Sequence, residues 1–316
     1  MIFTPFVSKI DPMGTLLYDR KKKCLTEIEQ YGGGMMRAAY HGRWGQCLLL
    51  PVVISPLFTR IYGWLQCLPC SRKKIPAFIK RYHVEMRDYQ PRRYRNFDEF
   101  FLRAIREGAR PMTGEKSRLI APADSKLLVY PVHEGAKVIV KGVEYSIEEL
   151  AGMSFGSGKR QNAGSRGENA DLADFAGGLC LVFRLTMDDY HHYCFPDDGR
   201  LRLRYQIKGK LHTVSPLSAG RKIYRDNYRV VNLLETRHFG KILMIEVGAM
   251  FAGCIRNRPI RHFKKGEEKG YFRLGGSSIL MLLQKDQVAL DADIMEYAVS
   301  GTEVKLRYRE DIGSRL

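Results

Sequence analysis

No apolar run in this 316-residue chain reaches the roughly twenty residues that one comfortable membrane-spanning helix requires. The nearest approach is 47–59, thirteen uncharged residues holding two prolines, and it extends to Cys70 only if Arg60 is tolerated. Acidic residues are also short: 34 Asp and Glu stand against 52 Lys and Arg, a net charge of +18. That excess favours anionic partners. No nucleic-acid-binding module is legible, because aromatic and basic residues do not alternate as they do in RNA-binding sheets. An acidic lipid surface is the better match, each Lys or Arg near it contributing about 1 kcal/mol. Seven irregularly spaced cysteines form no disulfide framework, and the odd count points to a reducing compartment. Cys67-Leu68-Pro69-Cys70 has no second C-x-x-C to complete a zinc site. The first ten residues lack the basic and apolar regions of a signal peptide. Gly158-Lys159 is not a phosphate loop, since Met153 replaces the earlier glycine and Arg160 the Ser or Thr.

Two regions are expected. Residues 1–95 read as an N-terminal region with membrane-interface helices, placing Trp44, Tyr62 and Trp64 near headgroups and Arg72, Lys73, Lys74, Lys80 and Arg81 outside. The stretch before Lys23 reads as irregular or edge strand, and Gly32-Gly33-Gly34 as a breaker. Residues 96–316 read as the catalytic domain. It opens on a helix over 96–105, capped by Asn96 and answered by Glu99, with Phe97, Phe100, Phe101, Ala104 and Ile105 on one core-facing stripe. Beyond Pro111, strands are predicted at 137–143, 179–185, 201–207, 229–234, 241–247, 278–284 and 304–308. No long helices alternate with them, so the fold class is α+β with a largely antiparallel sheet. The stretch 156–177, rich in Gly, Ser, Asn and Asp, reads as a mobile surface loop.

The most informative feature is Leu274-Gly275-Gly276-Ser277-Ser278, which closes a charged approach and opens an apolar strand. A glycine before a serine removes the Cβ that would crowd an attack on the intervening carbonyl. Four other segments accompany it: Ala121-Pro122-Ala123-Asp124-Ser125-Lys126, Asp188-Asp189-Tyr190-His191-His192-Tyr193-Cys194, Glu246-Val247-Gly248-Ala249-Met250 and Lys265-Gly266-Glu267-Glu268-Lys269-Gly270-Tyr271-Phe272. In this order they resemble phosphatidylserine decarboxylase proenzymes, the pyruvoyl-dependent phospholipid decarboxylases. Asn96-Phe97-Asp98-Glu99-Phe100-Phe101-Leu102-Arg103 and Gly108-Ala109-Arg110-Pro111 look like that family's entry to its catalytic domain.

The resemblance implies self-cleavage between Gly276 and Ser277, giving a large chain (1–276) and a small chain (277–316) that stay partnered. Ser277 would become a covalent pyruvoyl group, which forms a Schiff base with phosphatidylserine and releases CO2 to give phosphatidylethanolamine. It implies attachment to an anionic phospholipid membrane, peripheral on the cytoplasmic side, and leaves room for a homodimer. Its catalytic residues map to Asp124, His191 and Ser277, with Val247 to Met250 and Gly266 to Glu268 shaping the pocket or the turn. Many relatives carry a second histidine three residues after the first; here Cys194 stands there. His191, His192 and a Cys194 thiolate are therefore each open as its replacement. A half metal site of His191 and Cys194 with Asp188 or Asp189 finds no second ligand pair. Two other readings stand beside this one. One is a serine hydrolase with intact Ser277, His191 and Asp124, although Ser277 has no G-x-S-x-G elbow. The other is a catalytically dead membrane-binding homologue.

Overall fold

The computed structural model describes residues 15–28, 38–152, 172–215, 218, 220–251, 254–275 and 277–316. The Gly32-Gly33-Gly34 breaker and most of the 156–177 loop lie outside these residues. At the end of that loop Leu172–Phe175 forms a 3-10 turn that buries Leu172 and Phe175.

The strands Leu179–Leu185, Lys241–Gly248 and Ser277–Leu283 are buried nearly throughout, on both faces. Runs of that kind belong at the middle of a covered sheet. They lie side by side there, with Ser277–Leu283 between the other two and antiparallel to both. Outward on one side follow Arg229–Thr236, Gly199–Ile207 and His262–Phe263; on the other follow Ser125–His133, Glu303–Leu306, Thr15–Asp19 and Cys24–Ile28. With the hairpin Lys137–Val140 and Val143–Ser146, the described residues form a twelve-stranded sheet. Its pairings are antiparallel except that of Thr15–Asp19 with Glu303–Leu306. Side chains alternate between faces: Leu181, Phe183, Ile279 and Met281 enter one core, whereas Cys180, Val182, Leu280 and Leu282 enter the other. Each large side chain so enclosed contributes roughly 1.5–3 kcal/mol. Two three-stranded sheets flank this one. Cys254–Asn257, Glu268–Arg273 and His192–Cys194 form the first, and Val288–Leu290, Asp311–Arg315 and Arg118–Ile120 the second.

Three local expectations are corrected. The helix over 96–105 spans only Phe97–Phe101. Asn96 does cap it, accepting from the Glu99 N–H at 2.8 Å, but the Glu99 carboxylate turns to the Arg95 N–H at 2.6 Å and to the Arg92 guanidinium. The chain then leaves the helix because Arg103 turns inward, donating to the Asp188 carbonyl at 3.1 Å and the Tyr89 hydroxyl at 3.2 Å. Ile105 bridges to Tyr89, and Ala104 is exposed. The single strand expected over 137–143 is instead a hairpin, because Lys141 and Gly142 take φ of 51° and 76°, the turn that two-residue hairpins favour. The stretch before Lys23 includes an ordered strand, Thr15–Asp19, whose partner Cys24–Ile28 forms the sheet edge.

Ahead of residue 96 the chain also supplies helices. No single helix among the described residues is long and apolar enough to cross a membrane; Gly45–Val53 and Pro56–Cys67 have the length and composition only together, bent by 61°. Ser55 makes the break, its hydroxyl capping Leu57 ahead of Pro56. One face of the pair packs Leu50, Val53, Ile54, Phe58 and Tyr62 on Met250 and Phe251. The other leaves Trp44, Leu48, Val52, Leu57, Ile61 and Trp64 more than half exposed. Tyr62, expected beside the tryptophans, lies with its ring 4.5 Å from that of Phe251.

Candidate active site

The strand Glu268–Arg273 belongs to a flanking sheet, and the next strand, Ser277–Leu283, to the centre of the main one. The chain changes sheets within three residues. Leu274 and Gly275 carry φ of 37° and 125° there, the second open only to glycine. Gly276, the other half of the expected cleavage bond, lies outside the described residues. Ser277 opens the central strand opposite Gly248 on one side and Leu185 on the other. Gly248, in the segment expected to shape the pocket, therefore flanks Ser277 directly. Ser277 and Ser278 are fully buried, and among the described residues the Ser277 hydroxyl has no hydrogen-bond partner. They point to opposite faces, and Ser278 looks toward Tyr224.

His191 is fully buried where the Glu268–Arg273 strand ends: its carbonyl accepts from the Phe272 N–H at 2.9 Å, and its ring lies against the Gly275 backbone. Nδ1 is 3.0 Å from the Asp189 carbonyl oxygen. A carbonyl only accepts, so the proton sits on Nδ1; Nε2 has no hydrogen-bond partner among the described residues, on a ring that also lies against the Gly275 backbone. Burial pushes this imidazole down to about 4, against the Asp189 carboxylate, which favours the charged form. His191 is therefore a neutral base.

The turn that carries it is held from below. Lys126, buried, donates to both Asp189 oxygens at 2.7 and 2.6 Å. The Thr186 N–H and hydroxyl donate to the same carboxylate at 2.7 and 2.9 Å. Burial works against the Lys126 charge, yet Asp188 and Asp189 keep its pKa above the ordinary lysine value. Arg103 fixes the neighbouring Asp188 carbonyl.

Asp124 stands elsewhere in the network. One oxygen accepts from the Tyr308 N–H at 2.6 Å and the other from Arg110 at 3.3 Å; among the described residues neither bonds the imidazole. Burial raises its pKa, opposed by Arg110 and the Tyr308 N–H. Cys194 shares that corner: its N–H donates to the Pro122 carbonyl at 2.9 Å, and its thiol packs with Tyr308. Burial pushes the thiol up to about 12, so it stays protonated and is no thiolate base. His192 faces away, stacked on Tyr190 at 4.8 Å with Nδ1 3.2 Å from Glu268. The structure thus brings His191 to the Ser277 turn and sets Asp124 and Cys194 together beside Tyr308.

Sequence reading missed several participants. Lys126 and Arg103 lie inside quoted motifs, but nothing marks them as buried. Arg273, next to the turn, is held by Asp98 at 3.0 Å. Glu246 and Lys269, both wholly buried and 2.5 Å apart, pin the central sheet to its neighbour together with Asn232 and Asn257. A cavity of about 770 Å³ ends against this turn: Leu274 and Arg273 form one end, the helix residues Thr59, Gly63 and Trp64 a wall, and Arg60, Lys208 and Arg256 supply further positive charge.

A buried serine and a neutral buried imidazole thus meet at one turn, and the cavity reaches that turn at Arg273 and Leu274. Comparisons with known proteins name the family. Residues 97–314 match the phosphatidylserine decarboxylase family profile. The chain is 41% identical over 302 residues to phosphatidylserine decarboxylase proenzyme 2 of Clostridium acetobutylicum, covering 95% of this chain and 99% of that one. It is 31% identical to the phosphatidylserine decarboxylase proenzyme of Clostridium novyi, with the same coverage, and 31% identical to that of Chlamydia felis over 89% and 91% of the two chains. The chain belongs to the phosphatidylserine decarboxylase family.

Proposed function

We propose that this chain is the precursor of a phosphatidylserine decarboxylase that cuts itself between Gly276 and Ser277. The observation that carries the reading is that Ser277 Oγ and His191 Nε2, both buried at the turn where the chain passes between sheets, have no hydrogen-bond partner among the described residues. Leaving a buried polar group unpaired costs about 1–3 kcal/mol, and such a cost is retained where a reaction uses the group. The proenzyme names of the relatives support the same conclusion.

In this reading His191 takes the hydroxyl proton as Oγ bonds to the Gly276 carbonyl carbon; the C–N bond breaks and its nitrogen takes up a proton. Loss of the Ser277 Cα proton and cleavage of the Cβ–O bond then free the Gly276 carboxylate. Water replaces the nitrogen as ammonia, which leaves a pyruvoyl group at the head of residues 277–316. The residues fit that group, since position 277 is enclosed, has no competing side-chain hydrogen bond among the described residues, and lies at a turn where a neutral base waits. A pyruvoyl carbonyl supplies an electron sink for the pair released as a substrate carboxylate departs as CO2. Around it Phe101 and Leu274 exclude water. His191 Nε2 can receive and return a proton at the carbon that loses its carboxylate. Trp64 and Phe251 offer the cavity's apolar wall, and Arg60, Lys208 and Arg256 offer charge to a phosphodiester.

The exposed apolar face from Trp44 to Trp64, with Arg72, Lys73, Lys74, Lys80 and Arg81 exposed beyond it, supports peripheral attachment to an anionic phospholipid membrane. A hydrolase acting through intact Ser277 is disfavoured, because Ser277 is fully enclosed and its imidazole is oriented by a carbonyl instead of a carboxylate. The mass of the carboxy-terminal fragment tests the reading. Expected are two chains, the smaller beginning at position 277, blocked to Edman degradation and reactive toward hydrazine. Ser277→Ala is expected to give one uncut, inactive chain. Active protein that remains a continuous chain with an ordinary Ser277 overturns the proposal.

A further inference from the structure

Leu274 holds a backbone conformation that its own chemistry disfavours. Its φ of 37° lies in the left-handed region, where a Cβ crowds the carbonyl and where γ-branched residues seldom settle unless the surroundings compel them. The surroundings here are specific. Leu274 is 1% exposed and belongs to a cluster with Ile75, Phe78, Phe97, Phe100 and Phe101. Those residues lie on two helices, Ile75–Tyr82 and Phe97–Phe101. The preceding residue is tied to the same place: Arg273 binds Asp98 of the second helix and donates to Cys67 Sγ at 3.0 Å. The socket is thus built chiefly from two helices remote in sequence from Ser277, and it grips the approach to that residue.

We propose that Leu274 is a positioning residue for the scission of the chain. Its side chain, locked in the aromatic socket, holds the left-handed turn from which Gly275, against the His191 ring, leads on toward Ser277. This rests on the self-cleavage reading and adds to it a cause for the geometry. The bonds made and broken are those already given, Oγ–C forming as C–N breaks. Leu274 takes no part in them and acts through the orientation of Gly275 and the residues after it.

The test follows the appearance of the 277–316 fragment in freshly translated full-length precursor by intact mass, for the parent and for Leu274→Met, Leu274→Ala and Leu274→Gly. Thermal melts identify the folded variants. Leu274→Met keeps the apolar side chain and is expected within about twofold of the parent. Leu274→Ala empties the socket while keeping a Cβ, and its scission is expected to slow by about tenfold or more. Leu274→Gly empties the socket further but takes positive φ freely, so it is expected to cleave faster than Leu274→Ala. A role in packing alone gives the reverse order, with glycine slowest. Scission of Leu274→Ala at the parent rate, or of Leu274→Gly more slowly than Leu274→Ala, overturns the proposal. Should Leu274→Ala not fold, Leu274→Val replaces it, since a β-branched residue tolerates positive φ least; parent-rate scission there is equally fatal. A parent that never cleaves removes the self-cleavage reading itself. A cleaving parent with an indifferent position 274 removes only the role of Leu274.

Discussion

The Phe101 ring lies 4.3 Å from the imidazole of His191, centroid to centroid, with the planes tilted by 41°. Phe101 sits on a helix read from sequence as plain core, and it is core, but it also walls the base away from water. That enclosure is what depresses the His191 pKa, and it has a measurable consequence for acid stability.

His191 titrates near 4 when folded against an ordinary 6.5. Well above pH 6.5 neither folded nor unfolded chain protonates it, and it contributes nothing to pH dependence there. As pH falls from 6.5 toward 4 the unfolded chain binds a proton that the folded one refuses, so stability drops, by up to roughly 3 kcal/mol from this residue. His212, also held near 4 mainly by burial, acts in the same direction. Urea unfolding of the uncut Ser277→Ala chain is expected to show a falling midpoint between pH 6.5 and 4, with a shallower fall once His191→Gln is added. Scission of the parent should be level from pH 8 to 5 as far as His191 governs it. A loss of rate centred at pH 6.5 contradicts the assignment.

Exchanging the two candidate bases separates them. His191→Gln is expected to yield a folded, uncut chain. Cys194→Ala, which removes a thiol held protonated at the Tyr308 corner, is expected to cleave within about threefold of the parent, since losing a small buried group there costs stability more than chemistry. Abolished scission in Cys194→Ala with normal scission in His191→Gln reverses the roles.

Removing Lys126 strands a buried carboxylate. Lys126→Met is expected to destabilise the fold by about 3–5 kcal/mol, as breaking one side of a buried pair does. Lys126→Met combined with Asp189→Asn should regain most of that loss in urea unfolding. If the double variant is no more stable than the single one, the ion pair is not what supports the His191 turn.

The exposed side chains Leu48, Val52 and Leu57 should matter for lipid and not for folding. Changing all three to serine is expected to weaken co-sedimentation with anionic phospholipid vesicles by about tenfold or more, each lost apolar contact being worth roughly 1 kcal/mol or more. Scission should continue at the parent rate. Unchanged sedimentation counts against this face as the membrane contact.

Much of the fold is legible in the sequence. Leu179–Leu185 stands where its apolar run and glycine boundary put it, and the central strand begins one residue earlier than expected, at Ser277. The reading failed where long-range contacts decide. Glu268–Arg273 looked like a charged approach and is a strand, because Lys269 finds Glu246 from another part of the chain. The helix after Asn96 stopped early because Arg103 meets Asp188, 85 residues away in sequence. That His191 and Ser277 belong to one place is suggested by their motifs, and the structure brings both to one turn. The orientation of His191 by the Asp189 carbonyl was not legible, since every residue has a carbonyl and no side-chain pattern announces which one will be used. Nor did sequence reveal that Asp124 would be occupied by Arg110 and Tyr308.

The strand Ser277–Leu283 is hydrogen-bonded along its whole length to Lys241–Gly248 on one edge and to Leu179–Leu185 on the other. Farther on, Glu303–Leu306 and Asp311–Arg315 are laced into Ser125–His133 and Arg118–Ile120. A nick ahead of Ser277 would therefore release no piece: the forty terminal residues are woven through the rest of the molecule, and neither portion could leave or be swapped without unravelling the whole.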